Sequence, residues 1–504
     1  MTAPLVRMRG ISKRFGPVVA LDGAEFELLA GEVHGLLGEN GAGKTTLMNV
    51  LAGLYRADAG EVEVDGRPVA IREPRDAVRL GIGMVHQHFE LVGQLSALEN
   101  VVLGREGGPW LRRDRLRREV QALMERVGLP VPLDRAVREL PVGVQQKVEI
   151  LKALYRGARV LILDEPTTLL TPQEVDSLFG SVRALVDAGV SVVFITHKLH
   201  EVLRTCDRVT VMRRGRRVVT VGREEADPTR LVEWMVGTAP PPPAAREPAP
   251  PGRPVLELEA VKVLDSRGVL ALDGCTLTVR GGELVGVAGV SGNGQQALAA
   301  VVAGTARPAS GVVRLEGRVA TRHGVAERMR AGVLSIPEDR LRDGILPRMS
   351  VAENVLLGRH RLHFRGVWYD PEAGRRLAQQ AIEEFRIACP GPDAPAGQLS
   401  GGNLQKLIAA RVFAGARERG ARLLVAHNPT RGLDVPSTEF LHSRLVEFCQ
   451  TGGAVLLISE DLDELLKLSD RIAVLYRGRV VAEFPKGRFD RYEIGRAMTG
   501  GFAA

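Results

Sequence analysis

Gly38-Glu39-Asn40-Gly41-Ala42-Gly43-Lys44-Thr45, followed by Thr46, has the spacing of a phosphate-binding loop. A degraded copy returns 251 positions later as Gly289-Val290-Ser291-Gly292-Asn293-Gly294-Gln295-Gln296. The same offset pairs Leu5 with Leu256, Leu21-Asp22-Gly23 with Leu272-Asp273-Gly274, Gly60 with Gly311 and Gly66 with Gly317. A chain with this self-similarity is two copies of one unit, and the repeat overrides a domain count drawn from length. The copies are unequal: the second has lost the loop lysine.

The run from Thr238 to Pro254 contains eight prolines and suits neither helix nor sheet. It reads as a semi-rigid spacer reaching on the order of 50 Å at ~3.1 Å per residue. The expected domains are therefore 1–237 and 255–504, joined by a 238–254 linker. Each opens with short alternating strands, then an apolar strand feeding the glycine loop and a helix. Val160–Leu163 and Val190–Ile195 are further short apolar strands that end in polar residues, while 112–127 reads as a charged helix. Apolar strands alternating with amphipathic helices predict an α/β fold around a parallel sheet.

No apolar run approaches the ~18 residues of a membrane span. The opening Met1-Thr2-Ala3-Pro4 leads into strand-like Leu5–Met8 without a signal segment, so an intracellular chain is expected. Cys206, Cys275, Cys389 and Cys449 are too scattered for a zinc or redox motif and read as reduced thiols. The net charge of +8 is spread along the chain with only 4% aromatics, which gives no stacking pattern for nucleic acid.

In the first unit the glycines at 38, 41 and 43 let the backbone wrap around phosphates, with Glu39, Asn40, Ala42 and Thr46 completing the loop. Lys44 offers a point charge to the β- and γ-phosphates, and Thr45 a hydroxyl to magnesium. Asp164, at a strand end, is a second magnesium ligand, and Glu165 is placed to activate water. His197 ends the next strand and can donate to the γ-phosphate. Gln87 can reach magnesium or the water. Its neighbours His86 and His88 have metal-pair spacing but no further ligands. Phe15 can stack on adenine.

This order of motifs resembles that of an ATP-binding-cassette ATPase over nearly the whole chain. The resemblance implies two tandem P-loop domains, each a RecA-like core with a helical and an antiparallel β subdomain, using ATP and Mg²⁺. The family signature is nearly intact in unit two as Leu399-Ser400-Gly401-Gly402-Asn403, but unit one has Leu140-Pro141-Val142-Gly143-Val144. Pro141 has neither a hydroxyl nor an N–H to offer. In unit two Gln295, Gln296, His427-Asn428 and Ser459-Glu460 replace the loop lysine, its threonine, the carboxylate pair and Thr196-His197. Glu338 stands where Gln87 stood, Ser266 where Phe15 stood, and both Glu338 and Glu460 are expected to repel a triphosphate.

In this family each site joins one cassette's loop to the other's signature. The defects then sort into one complete site (Lys44, Asp164, Glu165 and His197 with Ser400, Gly401 and Gly402) and one ruined site, in an intramolecular pseudo-dimer. Asp434 is expected to face the good site and Thr171 the bad one. Pro-Thr-Arg-Gly-Leu-Asp (429–434) and Leu-Thr-Pro-Gln-Glu (170–174) resemble monosaccharide-importer ATPases, and Met84–Phe89, Gly289–Gln295 and Ile336–Arg340 resemble their nucleoside-importing branch. That implies two transmembrane permease subunits, an extracytoplasmic lipoprotein, and a peripheral position on the cytoplasmic face of the membrane. A sugar cargo is the alternative. A soluble ATPase acting on ribosomes or DNA fits less well with the proline spacer and the sorted losses.

Overall fold

The computed structural model describes residues 3–16, 18–39, 41–87, 89–105, 112–168, 170–237, 252–265, 268–358, 364–365 and 368–501. The chain forms two compact units that divide between Pro240 and Pro241. Most of the expected spacer lies outside the described residues. Its last residue, Pro254, opens the strand Pro254–Leu264, a position where a missing N–H is tolerated.

Unit one holds two sheets among its described residues. A four-stranded antiparallel sheet runs Val18–Leu28, Val6–Phe15, Ala59–Val64, Arg67–Val69. A six-stranded sheet runs Arg216–Gly222, Arg208–Arg213, Val33–Gly38, Ser191–Thr196, Val160–Asp164, Ile82–Val85. All its pairings are parallel except the edge hairpin Arg208–Arg213 with Arg216–Gly222. Its central strands read as unbroken apolar runs because both faces are covered, one by helices and the other by the antiparallel sheet with the helix Lys44–Leu51. Val33–Gly38, Val160–Asp164 and Ser191–Thr196 are buried at every position. Full burial of each such Val, Leu or Ile contributes roughly 1.5–3 kcal/mol.

The charged helix spans Arg113–Val127 and buries Leu116, Val120, Leu123 and Val127, one stripe at helical spacing. Gly128 ends it in the left-handed region, its N–H bonded to the Met124 carbonyl. With Val142–Tyr155 this helix forms a helical layer continuous with the core.

Unit two repeats the plan. Its antiparallel sheet runs Leu270–Arg280, Pro254–Leu264, Ser310–Leu315, Arg318–Val319. Its larger sheet runs Val333–Ile336, Leu423–His427, Ala454–Ile458, Leu284–Ala288, Arg471–Tyr476, Arg479–Pro485. Parallel register places the ends of Leu284–Ala288, Leu423–His427 and Ala454–Ile458 together, as in unit one. Chemistry-bearing residues at those strand ends therefore converge within each unit.

Candidate functional site

The strand Val33–Gly38 delivers the chain to the glycine loop, and the helix Lys44–Leu51 leaves it. Gly43 sits at φ 98°, and a Cβ there would lie 2.8 Å from the Ala20 carbonyl. Only glycine permits this turn. The loop places Lys44, 5% exposed, with its Nζ donating to the Gly38 carbonyl at 2.8 Å and the Glu39 carbonyl at 3.0 Å. Burial pushes its pKa down, opposed by the charges of Glu165, Asp164 and Glu39. Ala42 is buried, Thr45 and Thr46 begin the helix, and Asn40 lies outside the described residues.

Thr45 Oγ1 donates to Asp164 Oδ1 at 3.3 Å. Two oxygens from distant segments thus meet beside the lysine, as a hard cation requires. Burial raises the Asp164 pKa, as does the charge of Glu165, against the Thr45 hydrogen bond and Lys44. No group of three or more His, Cys, Asp or Glu among the described residues is placed to hold a metal. A cation at Thr45 and Asp164 would take the rest of its shell from neutral oxygens such as an amide, from phosphate and from water. His86 carries no metal cluster, and His88 lies outside the described residues.

Glu165 follows Asp164 with φ +46°, its N–H held by the Ile195 carbonyl at 3.0 Å. Its Oε1 meets His197 Nδ1 at 3.0 Å, and its Oε2 accepts from Gln87 Nε2 at 3.2 Å. Burial works to raise its pKa, but the hydrogen bond and charge of His197, with Lys44 and Lys198, hold it below the usual carboxylate range. The structure thus brings Gln87, Glu165 and His197 into one cluster, with Lys44, Thr45 and Asp164 adjoining. The arrangement can hold an anion at the loop, a divalent cation beside it and an ionised carboxylate for water.

Phe15 is exposed, and its ring centroid lies 5.1 Å from that of Tyr55 in an edge-to-face contact, with Lys13 Nζ 5.6 Å from the Phe15 centroid. Sequence reasoning missed Tyr55. The available signal was the offset itself: Ala306 stands 251 positions after Tyr55, so both aromatics are absent from the copy.

The sequence profile of the ABC transporter family matches residues 21–168 and 272–430. The chain belongs to the ABC transporter family. It is 44% identical to a glucose import ATP-binding protein of Haloferax volcanii, covering 99% of this chain and 96% of that protein. It is 41% identical to a nucleoside import ATP-binding protein of Lactococcus lactis (99% and 98% covered) and 44% identical to a ribose import ATP-binding protein of Rubrobacter xylanophilus (96% and 95%). The two units are tandem ATP-binding cassettes, and the chain is a nucleotide-binding ATPase of that family. No helix among the described residues is long and apolar enough to cross a membrane.

The second cassette fills the same positions with groups that satisfy one another. Gln295 Nε2 donates to the Val290 carbonyl at 2.9 Å, so a neutral amide occupies the place of the lysine. Asn428 shares φ +46° with Glu165, and its Nδ2 donates to Glu338 Oε1 at 3.0 Å. The amide–carboxylate bond of Gln87 and Glu165 is kept with donor and acceptor exchanged. Glu338, expected to repel a phosphate, is instead engaged by Asn428, by Arg431 at 3.3 Å and by His427 at 3.7 Å. The Arg431 guanidinium and the Asn428 amide take up the charge of Glu338, while burial pushes the His427 pKa down.

The signatures differ as helix caps. Ser400 caps the helix Gly401–Arg419, its hydroxyl accepting from Asn403 Nδ2 at 2.9 Å and from the Asn403 N–H at 3.5 Å. Gly401 and Gly402 form its first turn. Pro141 caps Val142–Tyr155 without a side-chain bond. Thr171 and Asp434 each cap the helix that follows, bonding the Glu174 and Ser437 N–H groups.

Proposed function

We propose that this chain is the ATP-hydrolysing subunit of a nucleoside importer, with one competent ATP site built on the first cassette. The observation that carries the reading is the cluster of Lys44, Thr45, Asp164, Gln87, Glu165 and His197 in one unit, against amides and a closed Glu338–Asn428 pair in the other. Lys44 and the loop amides hold the β- and γ-phosphates, and Phe15 with Tyr55 offers the adenine an aromatic surface. Thr45 and Asp164, with Gln87 nearby, would hold magnesium, which would supply charge neutralisation at the phosphoryl group. Glu165, kept ionised, takes the proton of the attacking water, and His197 orients Glu165 and donates toward the γ-phosphate. Ser400, which the family resemblance assigns to this site, caps its own helix through Asn403.

The relatives named for glucose, nucleoside and ribose import support an importer of small polar cargo. The runs Met84–Phe89 and Ile336–Arg340 favour the nucleoside branch, and the glucose and ribose relatives favour a sugar as the second reading. Permease subunits would supply the pathway and an extracytoplasmic lipoprotein the cargo, with this chain on the cytoplasmic face.

Steady-state ATPase measurement tests the one-site reading. Lys44→Ala and Glu165→Gln are expected to lose about 10²–10⁴-fold in rate, while Gln295→Ala changes it little. Ser400→Arg should block turnover, and Pro141→Ser should restore nothing. An equal loss in Gln295→Ala, or an active Ser400→Arg, would show that the sites are paired otherwise. Uptake of labelled nucleoside against labelled ribose through the chain's own permeases decides the cargo.

A further inference from the structure

We infer that Glu201, through Thr167 and Thr196, is a positioning residue that sets the distance between Glu165 and His197; this rests on those two forming the hydrolytic pair. Glu201 lies in the helix Leu199–Thr205 and is 1% exposed. Its Oε1 accepts from the Thr167 hydroxyl at 2.6 Å and its Oε2 from the Thr196 hydroxyl at 2.8 Å. Thr167 lies two residues after Glu165, and Thr196 immediately precedes His197. A single carboxylate therefore ties together the two chain segments that carry the 3.0 Å Glu165–His197 contact. The Lys198 N–H donates to Thr196 Oγ1 at 3.0 Å, so that hydroxyl is fixed as a donor toward Glu201.

A buried carboxylate is costly unless fully hydrogen-bonded, and a helix that only had to pack would place an aliphatic residue here. The second cassette shows what becomes of the device when the pair is gone. Glu464, 4% exposed, occupies the corresponding position, but its Oε1 takes both the Thr430 hydroxyl at 2.8 Å and His442 Nε2 at 3.0 Å. Its Oε2 has no partner among the described residues. Ser459, in place of Thr196, accepts from the Asp461 N–H and makes no bond to Glu464. The strand-end half of the clamp is thus missing in the cassette where Asn428 and Glu460 replace Glu165 and His197. A clamp needed only for folding would survive in both copies.

The test uses the full chain with Thr196→Val, Thr196→Ser, Glu201→Gln, His197→Ala and the double variant Thr196→Val/His197→Ala. Glu165→Gln serves as the reference for the hydrolytic pair. Measured are kcat and KM for ATP, affinity for a fluorescent ATP analogue, and Tm. Misplacing a reacting group by about 1 Å costs on the order of 10²-fold, so Thr196→Val and Glu201→Gln should lower kcat by about 10–10²-fold with KM and analogue affinity unchanged. Thr196→Ser should restore kcat, including where its Tm stays below that of the parent. Thr196→Val should add nothing to the loss already caused by His197→Ala. An unchanged kcat in Thr196→Val, a loss that adds to that of His197→Ala, or a kcat that follows Tm across the series overturns the positioning role. Full turnover in Glu165→Gln would instead overturn the hydrolytic pair itself, and the clamp with it.

Discussion

Glu165 is held in a backbone conformation that its side chain does not favour, and comparing Ala with Gly at this position measures that cost. Its φ of +46° lies in the left-handed region, where a Cβ crowds the following carbonyl oxygen at about 1–2 kcal/mol. The backbone has no easy relaxation, because the residue's N–H is fixed to the Ile195 carbonyl and Asp164 is locked into the sheet. Glu165→Ala and Glu165→Gly both remove the carboxylate and its bonds to His197 and Gln87, so their difference isolates the backbone. Glycine recovers the strain and loses about 0.4–1 kcal/mol through the freer unfolded chain, for a net advantage of about 0.5–1 kcal/mol over alanine. For a domain of this size that raises Tm by about 1–4 °C. The control is Arg183, an exposed position within the helix Pro172–Asp187, where glycine should be the less stable by about 1 kcal/mol. Calorimetry of the full chain reads both pairs through the transition that shifts with ATP. If alanine is the more stable at 165 as well as at 183, the left-handed backbone stores no strain and the argument fails.

His34 is fully buried between Glu32 and Thr210, and burial pushes its pKa down. The unfolded chain therefore takes up a proton below about pH 6.5 that the folded chain refuses. Stability should fall as pH drops from 6.5, by up to about 1.4 kcal/mol per pH unit, and His34→Gln should flatten that slope in thermal unfolding at pH 7.5 and 5.5. Burial raises the Cys206 thiol and pushes Cys275 up to about 12, while Cys389 is only half-buried. Iodoacetamide at pH 8 should label Cys389 first and reach Cys206 and Cys275 only on unfolding; early labelling of Cys206, read by peptide mass, would contradict its burial at the end of the helix Leu199–Thr205.

What the sequence discloses is whatever repeats at a fixed offset or at the period of one element. The glycine loop, the apolar strands and the stripe at Leu116, Val120, Leu123 and Val127 are of that kind, because each depends on neighbours in the chain. The hydrogen-bonding of Glu201 is not, since Thr167 and Thr196 lie 34 and 5 residues away and meet it only once parallel strands set their ends side by side. His34 is hidden for the same reason: within an apolar strand it gives no sign of Thr210 on the next one. Tyr55 was visible only as an absence from the second copy. Thr171 and Asp434 are expected to face the two sites, and within their own units each caps the helix that follows.

The second cassette differs from the first in a consistent physical direction. Asn tolerates the left-handed region that Glu165 enters under strain, and Asn428 occupies it with its amide bonded to Glu338 and its carbonyl to the Glu460 N–H. Gln295 closes onto the loop carbonyl without bringing a charge that burial would penalise. Each substitution replaces a group that is costly to hold in the absence of a ligand by one that is satisfied within the unit. The first cassette keeps the costly version: a buried lysine, two adjacent carboxylates of which one is raised and the other depressed in pKa, and a strained backbone. Such costs persist only where something outside the fold offsets them, and a triphosphate with its cation would meet every one of these groups. The asymmetry in what each cassette holds at an energetic cost thus favours the first cassette as the seat of a triphosphate.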